Sequence, residues 1–186
     1  MLQELKTDRL ILRPFRDGDA HNIAMLMNNW NVAKWLAVVP WPYTLEDADE
    51  FLERRETKTG PGFSLAIDNG DGLVGVMAVH TPNPDWGIED VNTLEIGYWL
   101  GEPHWGQGYV TEAGRAALTH AFEALGVKRL VAGAITENAG SCNVLTKLGF
   151  EQTGTGDFYC RPQDKRVPST QFDLTRARWR TLQAIG

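Results

Sequence analysis

Gly106 and Gly108 lie between a strand-like run and a helix-like run, an order of parts suited to holding an anion. Leu94, Ile96, Tyr98 and Leu100 alternate with Glu95, Gly97 and Trp99, the period of a half-buried or two-sided strand. Pro103 ends that strand, because it has no N–H for a ladder. Thr111 and Glu112 then open a helix whose apolar positions are Val110, Ala113, Ala117, Ala121 and Leu125. The loop between them leaves backbone N–H groups unpaired at the positive end of the helix dipole, where a phosphate or diphosphate is stabilised. Glycine is needed where the backbone comes close to such a ligand or takes a positive φ. Glu95 interrupts an otherwise apolar and aromatic strand just before this loop. Partial burial would raise its pKa towards a value useful for proton transfer.

Two known cradles do not match. A P-loop needs four residues between its glycines and then Lys-Ser/Thr, and neither is present. A dinucleotide fingerprint needs G-x-G-x-x-G, and Thr111 stands at its last glycine. The run Trp105-Gly106-Gln107-Gly108-Tyr109-Val110 resembles instead the acetyl-CoA loop of the GNAT acetyltransferases, with Trp105 for the usual Arg/Gln and Val110 for the usual Gly/Ala. The longer run Ile96-Gly97-Tyr98-Trp99-Leu100, Trp105 to Tyr109 and Thr111-Glu112-Ala113 resembles the branch typified by ribosomal-protein N-terminal (Rim-type) acetyltransferases. So does the opening Thr7-Asp8-Arg9-Leu10-Ile11-Leu12-Arg13-Pro14, whose arginines read otherwise as solvated edge charge. A further match follows at Asn138, Ser141, Val144, Leu145, Lys147, Leu148, Gly149 and Phe150, where Asn143 replaces the usual Arg. These motifs come in family order and cover about residues 5–180, taken as one domain.

The resemblance implies a fold and a set of roles. The fold is α/β: a mixed, twisted sheet of about six to seven strands flanked by helices, with a splayed central parallel pair that binds acetyl-CoA. The reaction is transfer of acetyl from acetyl-CoA to a primary amine, such as a protein N-terminal α-amino group, by direct attack on the thioester. Small-molecule amine acetylation, or a non-catalytic acyl-CoA sensor of the same fold, are the alternatives. By position, the backbone near Trp99 and Leu100 holds the pantetheine arm. The loop of Trp105, Gly106, Gln107, Gly108, Tyr109 and Val110 takes the diphosphate, and Asn138 and Ser141 contact the cofactor. Ser141 either protonates the departing sulfur or caps a helix start, as serine often does. Glu95 either accepts the amine proton or is a hydrogen-bonded strand residue. Trp35, Trp41 and Tyr43 either line the acceptor site or pack a helix pair onto the sheet. His80, at a strand end, reads equally as structural or substrate-lining.

The elements that must position these residues read as follows. Leu10–Pro14 forms a strand. Asp17 caps a helix carrying Ile23, Leu26, Met27 and Trp30. Pro40 and Pro42 break the next stretch, and Thr44 and Asp47 open a second helix that continues through Arg55 until Gly60. Phe63–Ile67 and Leu73–Val79 pair across Asn69-Gly70 and Asp71-Gly72, strong hairpin signals. Gly126 ends the central helix, and residues 127–135 form a strand parallel to 94–100. A gap at the carboxyl ends of that pair is where α/β proteins bind ligands. A short helix from Asn138 ends at Gly149. A strand at 167–175 leads to a basic, aromatic tail at Arg176–Trp179.

Composition narrows the classes. A 42% hydrophobic share over 186 residues supports a soluble domain with a real core. A net charge of −6 argues against a nucleic-acid partner, which calls for a basic face. With no apolar run of membrane-spanning length and no signal-peptide run at the start, no membrane partner and a cytoplasmic location are expected. Cys142 and Cys160 are too few for a disulfide framework, and the four His show no ligand spacing, so no metal is expected. The partner expected is an amine substrate, and homodimer formation is left open.

Overall fold

The computed structural model describes residues 4–56 and 60–185. Their strands are β1 (Leu5–Lys6), β2 (Ile11–Arg13), β3 (Phe63–Asp68), β4 (Leu73–His80), β5 (Thr93–Leu100), β6 (Arg129–Ile135), β7 (Glu151–Cys160) and β8 (Lys165–Thr175). They form one sheet in the order β1-β2-β3-β4-β5-β6-β8-β7. Every pairing is antiparallel except β5 with β6. The helices are α1 (Asp19–Met27), α2 (Trp30–Ala33), α3 (Leu45–Glu56), α4 (Tyr109–Thr119), α5 (Ala139–Lys147) and α6 (Arg176–Gln183).

The mixed sheet is the one expected, and among its eight described strands β1 and β7 are the two that sequence patterning does not mark. The β7 sequence, EQTGTGDFYC, is exposed or half-exposed at every position but Cys160. A solvated edge strand needs no apolar alternation, so periodicity does not reveal it. Its pairing with β8 along the strand, with a register shift at Gln152/Gly154, holds it in place.

The two sheet faces carry separate cores. One contains Leu65, Met77, Leu94, Ile96, Leu130 and Phe172 with Ala113, Ala117, Leu118 and Phe122 of α4 and its extension, Leu145 of α5 and Trp179 of α6. The opposite face packs Ala66, Leu73 and Trp99 against Ile23, Leu26 and Met27 of α1 and Ala48 of α3. Gly114 lets α4 and α5 come together, since a Cβ there would lie 2.7 Å from Leu148 Cδ1. Beyond Thr119 the helix widens into a π turn over His120–Ala124. That turn rotates the apolar face, which leaves Leu125, the last of the expected apolar series, exposed.

Several local expectations change. The N-cap of α1 is Gly18, at φ +92 and with no side-chain bond, one residue after Asp17. Trp30 leaves α1 and begins α2, because Asn29 caps a new turn by accepting from the Asn31 N–H at 2.9 Å. Arg13 is buried, not solvated: Asp19 and Asp68 both hold its guanidinium, the nearest contacts being 2.8 and 2.7 Å. The Thr44–Asp47 cap forms as read, with Asp47 N–H donating to Thr44 Oγ1 and Thr44 N–H to Asp47 Oδ2. The end of α3 expected at Gly60 lies next to residues 57–59, outside those described. The basic tail is helical, with Trp179 5.2 Å from the Phe122 ring.

Candidate active site

β5 and β6 pair only at Thr93↔Arg129, Leu94↔Leu130 and Glu95↔Val131. β5 then continues against β4 as far as Leu100↔Gly75, and β6 against β8 as far as Ile135↔Ser169. The parallel pair therefore parts beyond Glu95, and a cleft opens at the carboxyl ends of the two central strands. The reading of a gap at this place holds.

Each lip of the cleft presents different chemistry, because successive side chains of a strand point to opposite faces. Glu95 stands where the gap begins, on the face of α1 and α3, opposite His80 of β4. One carboxylate oxygen accepts the Asn83 N–H at 3.0 Å. Burial raises the Glu95 pKa, while His80 and the Asn83 N–H work against that rise. His80 Nδ1 lies 2.8 Å from the Thr81 carbonyl. Its Nε2 lies 3.7 Å from the point where a Gly97 Cβ would sit, so the ring leans over Gly97. If Nδ1 carries the hydrogen for Thr81, Nε2 is left as an acceptor over Gly97.

On the other face, Tyr98 reaches from β5 to the first turn of α5. Its Oη lies 3.0 Å from Ser141 Oγ and 3.2 Å from the Ser141 carbonyl, to which it donates. Burial pushes the Tyr98 pKa up to about 12, which keeps the phenol protonated and able to donate at neutral pH. Asn138 is the cap of α5, its Oδ1 accepting the Ser141 N–H at 3.1 Å. The capping role weighed for Ser141 is therefore taken by Asn138, and the serine hydroxyl faces Tyr98. Alternation alone marks Tyr98 as an inward apolar residue, so its polar contact with Ser141 is not visible in the sequence.

The loop that follows is shaped by its glycines. Gly106 and Gly108 have φ +75 and +79, the left-handed region in which a Cβ is strained. Gly108 is the N-cap of α4 with no side-chain cap, so the first-turn N–H groups lack intrahelical acceptors. A Cβ at Gly106 would meet nothing within 4 Å. Trp105 folds back, its Nε1 donating to the Leu100 carbonyl at 2.7 Å, while the Trp99 indole packs into the core beside α1. Tyr109 and Val110 are half-buried against the opposite core. Gln107 is exposed, its side chain reaching the Pro103 carbonyl. Open backbone at Gly106, free first-turn N–H groups and an adjoining cleft fit a diphosphate joined to a narrow arm.

The aromatic candidates separate. Tyr43 is 5% exposed in the core between α1 and α3 and donates to the Asp47 carbonyl, a packing position. Trp35 packs on Ile135, Cys160 and Val167 beyond the carboxyl end of β6. Trp41 is exposed and lies 5.2 Å from the Trp30 ring.

A central parallel pair that parts over a glycine-rich helix start defines an α/β fold with a ligand cleft at the carboxyl ends of its central strands. Residues 9–151 match the family described as acetyltransferase (GNAT) domain, and the chain belongs to that family, as an acyltransferase enzyme. It is 25% identical over 179 residues to the uncharacterized N-acetyltransferase p20 of Bacillus licheniformis, covering 94% of this chain and 97% of that one. The ribosomal-protein-serine acetyltransferase of Escherichia coli is 36% identical over 81 residues, 43% of this chain and 42% of that one. The fold is shared with Mycobacterium smegmatis RimJ in complex with CoA-disulfide, with TM-score 0.77 and 20% identity over 94% of this chain and 89% of that one. Among the described residues, no helix is long and apolar enough to cross a membrane.

Proposed function

We propose that this protein transfers an acetyl group from acetyl-CoA to a primary amine, with a protein N-terminal α-amino group as the acceptor. The observation that carries this reading is the parting of β5 and β6 beyond Glu95, with the Glu95 carboxylate on one face of the gap and the Tyr98 and Ser141 hydroxyls on the other. Acetyl-CoA supplies the activated thioester when bound. The first-turn N–H groups of α4 and the backbone of Gly106 to Val110 would hold its diphosphate. The arm would lie along the unpaired edge of β5 near Trp99, since the Leu100 carbonyl is already occupied by Trp105.

The amine nitrogen forms the new C–N bond as the C–S bond breaks. Glu95, with His80 beside it, accepts the proton that the amine gives up. The Tyr98–Ser141 pair donates to the sulfur as it becomes a thiolate. A lone carboxylate raised by burial suits an α-amine, whose reference pKa is about 7.7–8.0, better than a lysine near 10.4. The name of the Escherichia coli relative, ribosomal-protein-serine acetyltransferase, supports a protein as the acceptor.

The test is release of CoA thiol from acetyl-CoA with a panel of short peptides bearing free N-termini, their N-acetylated forms, and small amines. Thiol release with free but not blocked peptides, and acetyl found on the first residue by mass spectrometry, supports the reading. Release with small amines alone moves the acceptor to that class. CoA binding without turnover on any amine favours the acyl-CoA sensor.

A further inference from the structure

The loop from Pro103 to Val110 contains no Lys or Arg, yet a guanidinium lies against it. Arg9, in the turn before β2, donates from Nη1 to the Gln107 carbonyl at 3.0 Å, across 98 residues of chain. Its direction is set by Glu112 in the first turn of α4. Nε and Nη2 reach Glu112 Oε2 at 2.7 and 2.6 Å. Glu112 Oε1 accepts the Arg9 N–H at 2.9 Å and the Thr7 hydroxyl at 2.6 Å. The guanidinium also lies 5.0 Å from the centre of the Tyr109 ring. Burial alone would raise the Glu112 pKa, but Thr7 and Arg9 outweigh it and hold the carboxyl below its ordinary value.

We infer that Arg9 is a positioning residue for the diphosphate cradle, locking the Gln107–Gly108 peptide plane by way of Glu112. The C=O and N–H of a trans peptide point in opposite directions. Holding the Gln107 carbonyl towards Arg9 therefore turns the Gly108 N–H away from it, to the side on which an anion would be received. The same plane sets the entry into the left-handed conformation of Gly108, whose Cα also lies beside this guanidinium: a Cβ there would be 3.6 Å from Arg9 Nη2. A planar fork is required, because one group must meet the Glu112 carboxylate, the Gln107 carbonyl and the Tyr109 face together; an ammonium cannot. Thr7 and Arg9, in the strand opening that reads as edge charge, thereby become part of the cofactor site.

This inference rests on the acetyl-CoA reading, and the experiment separates the two. CoA binding is measured by calorimetry for the wild-type chain, Arg9→Lys and Glu112→Gln, with a thermal melt of each free protein to establish that it folds. Arg9→Lys keeps the charge and should weaken CoA binding by about tenfold, the size of one hydrogen bond at ~1.4 kcal/mol. Glu112→Gln should also weaken it, although it removes a negative charge from beside the anion. A purely electrostatic or scaffolding role for this pair predicts that Glu112→Gln binds CoA equally or more tightly, and that result overturns the inference. Undiminished CoA affinity in a folded Arg9→Lys overturns it as well. Failure of the wild-type chain to bind CoA would overturn the acetyl-CoA reading itself, and this inference with it.

Discussion

Tyr98 Oη and Ser141 Oγ stand 3.0 Å apart, joining β5 to the helix after β6 on the face opposite Glu95. β5 and β6 make no ladder pairs at this level, so a side-chain contact bridges the two lips of the cleft. If this pair delivers a proton or hydrogen bond to the leaving sulfur, Tyr98→Phe and Ser141→Ala should each lower kcat and leave CoA affinity nearly unchanged. General acid groups contribute about 10²–10⁴-fold. The double variant should cost little more than the worse single one, because the two hydroxyls act as a unit. Steady-state kinetics with calorimetric CoA affinities check this; full-rate single variants would reduce the pair to a structural bridge.

The acid on the other face gives a pH prediction. The raised pKa of Glu95 means that its carboxylate, the form that accepts a proton, is lost as pH falls through a value above the ordinary glutamate range. The acid limb of kcat/KM should therefore carry this group, and Glu95→Gln should lower the rate most where the amine arrives protonated. Partial recovery is expected above the acceptor's own pKa, where solvent supplies the free amine. Parallel pH–rate profiles of equal height would exclude Glu95 and leave His80 Nε2 as the acceptor to examine.

Gly108→Ala tests the cradle from the backbone side. An L-residue in the left-handed region costs roughly 1–2 kcal/mol, and here the added methyl would rest in ordinary contact with Arg9 Nη2, 3.6 Å away. We expect a lower Tm together with weaker CoA binding. Gly106→Ala meets the same backbone penalty with no neighbour within 4 Å, so a similar loss of stability is expected there. Differential scanning calorimetry of the two free variants compares them directly.

Arg13 offers a stability test away from the site. Removing one partner of a buried ion pair typically costs about 3–5 kcal/mol, and Arg13→Ala would leave two carboxylates facing each other. For Asp68, burial favours the neutral form, but Arg13 and the Gly70 N–H outweigh it and lower the pKa. In the wild-type chain this contribution is present above the unfolded-state pKa and is lost as pH falls through the lowered folded one. In Arg13→Ala the sign reverses, because protonation relieves the unpaired charge. The stability gap between the two proteins should narrow on acidification, as read by urea unfolding at several pH values.

Much of the architecture is legible in the residues because local physics dictates it. The alternation from Leu94 to Leu100, the Asn-Gly and Asp-Gly turn between β3 and β4, and the demand for Gly106 and Gly108 are set by a few neighbouring side chains and backbone sterics. Strand, loop and helix therefore follow from sequence alone, as does the capped start at Thr44. Pairing over long chain distances is decided only by the tertiary structure. The pattern of Thr7 to Pro14 shows alternating charge but cannot show that Arg13 finds Asp68 inside the protein or that Arg9 finds Gln107 and Glu112. It places Tyr98 with the apolar residues because alternation assigns a face and says nothing of a hydroxyl waiting on it at Ser141. It omits β7 because an edge strand solvated on both sides is held by its ladder with β8, not by a pattern of its own. The sequence by itself determined the family and the run of strand, glycine loop and helix from Leu94 to Leu118, each written in contiguous residues. Which side chains meet across the cleft depends on where β5 and β6 part, and that is a property of the whole packed sheet.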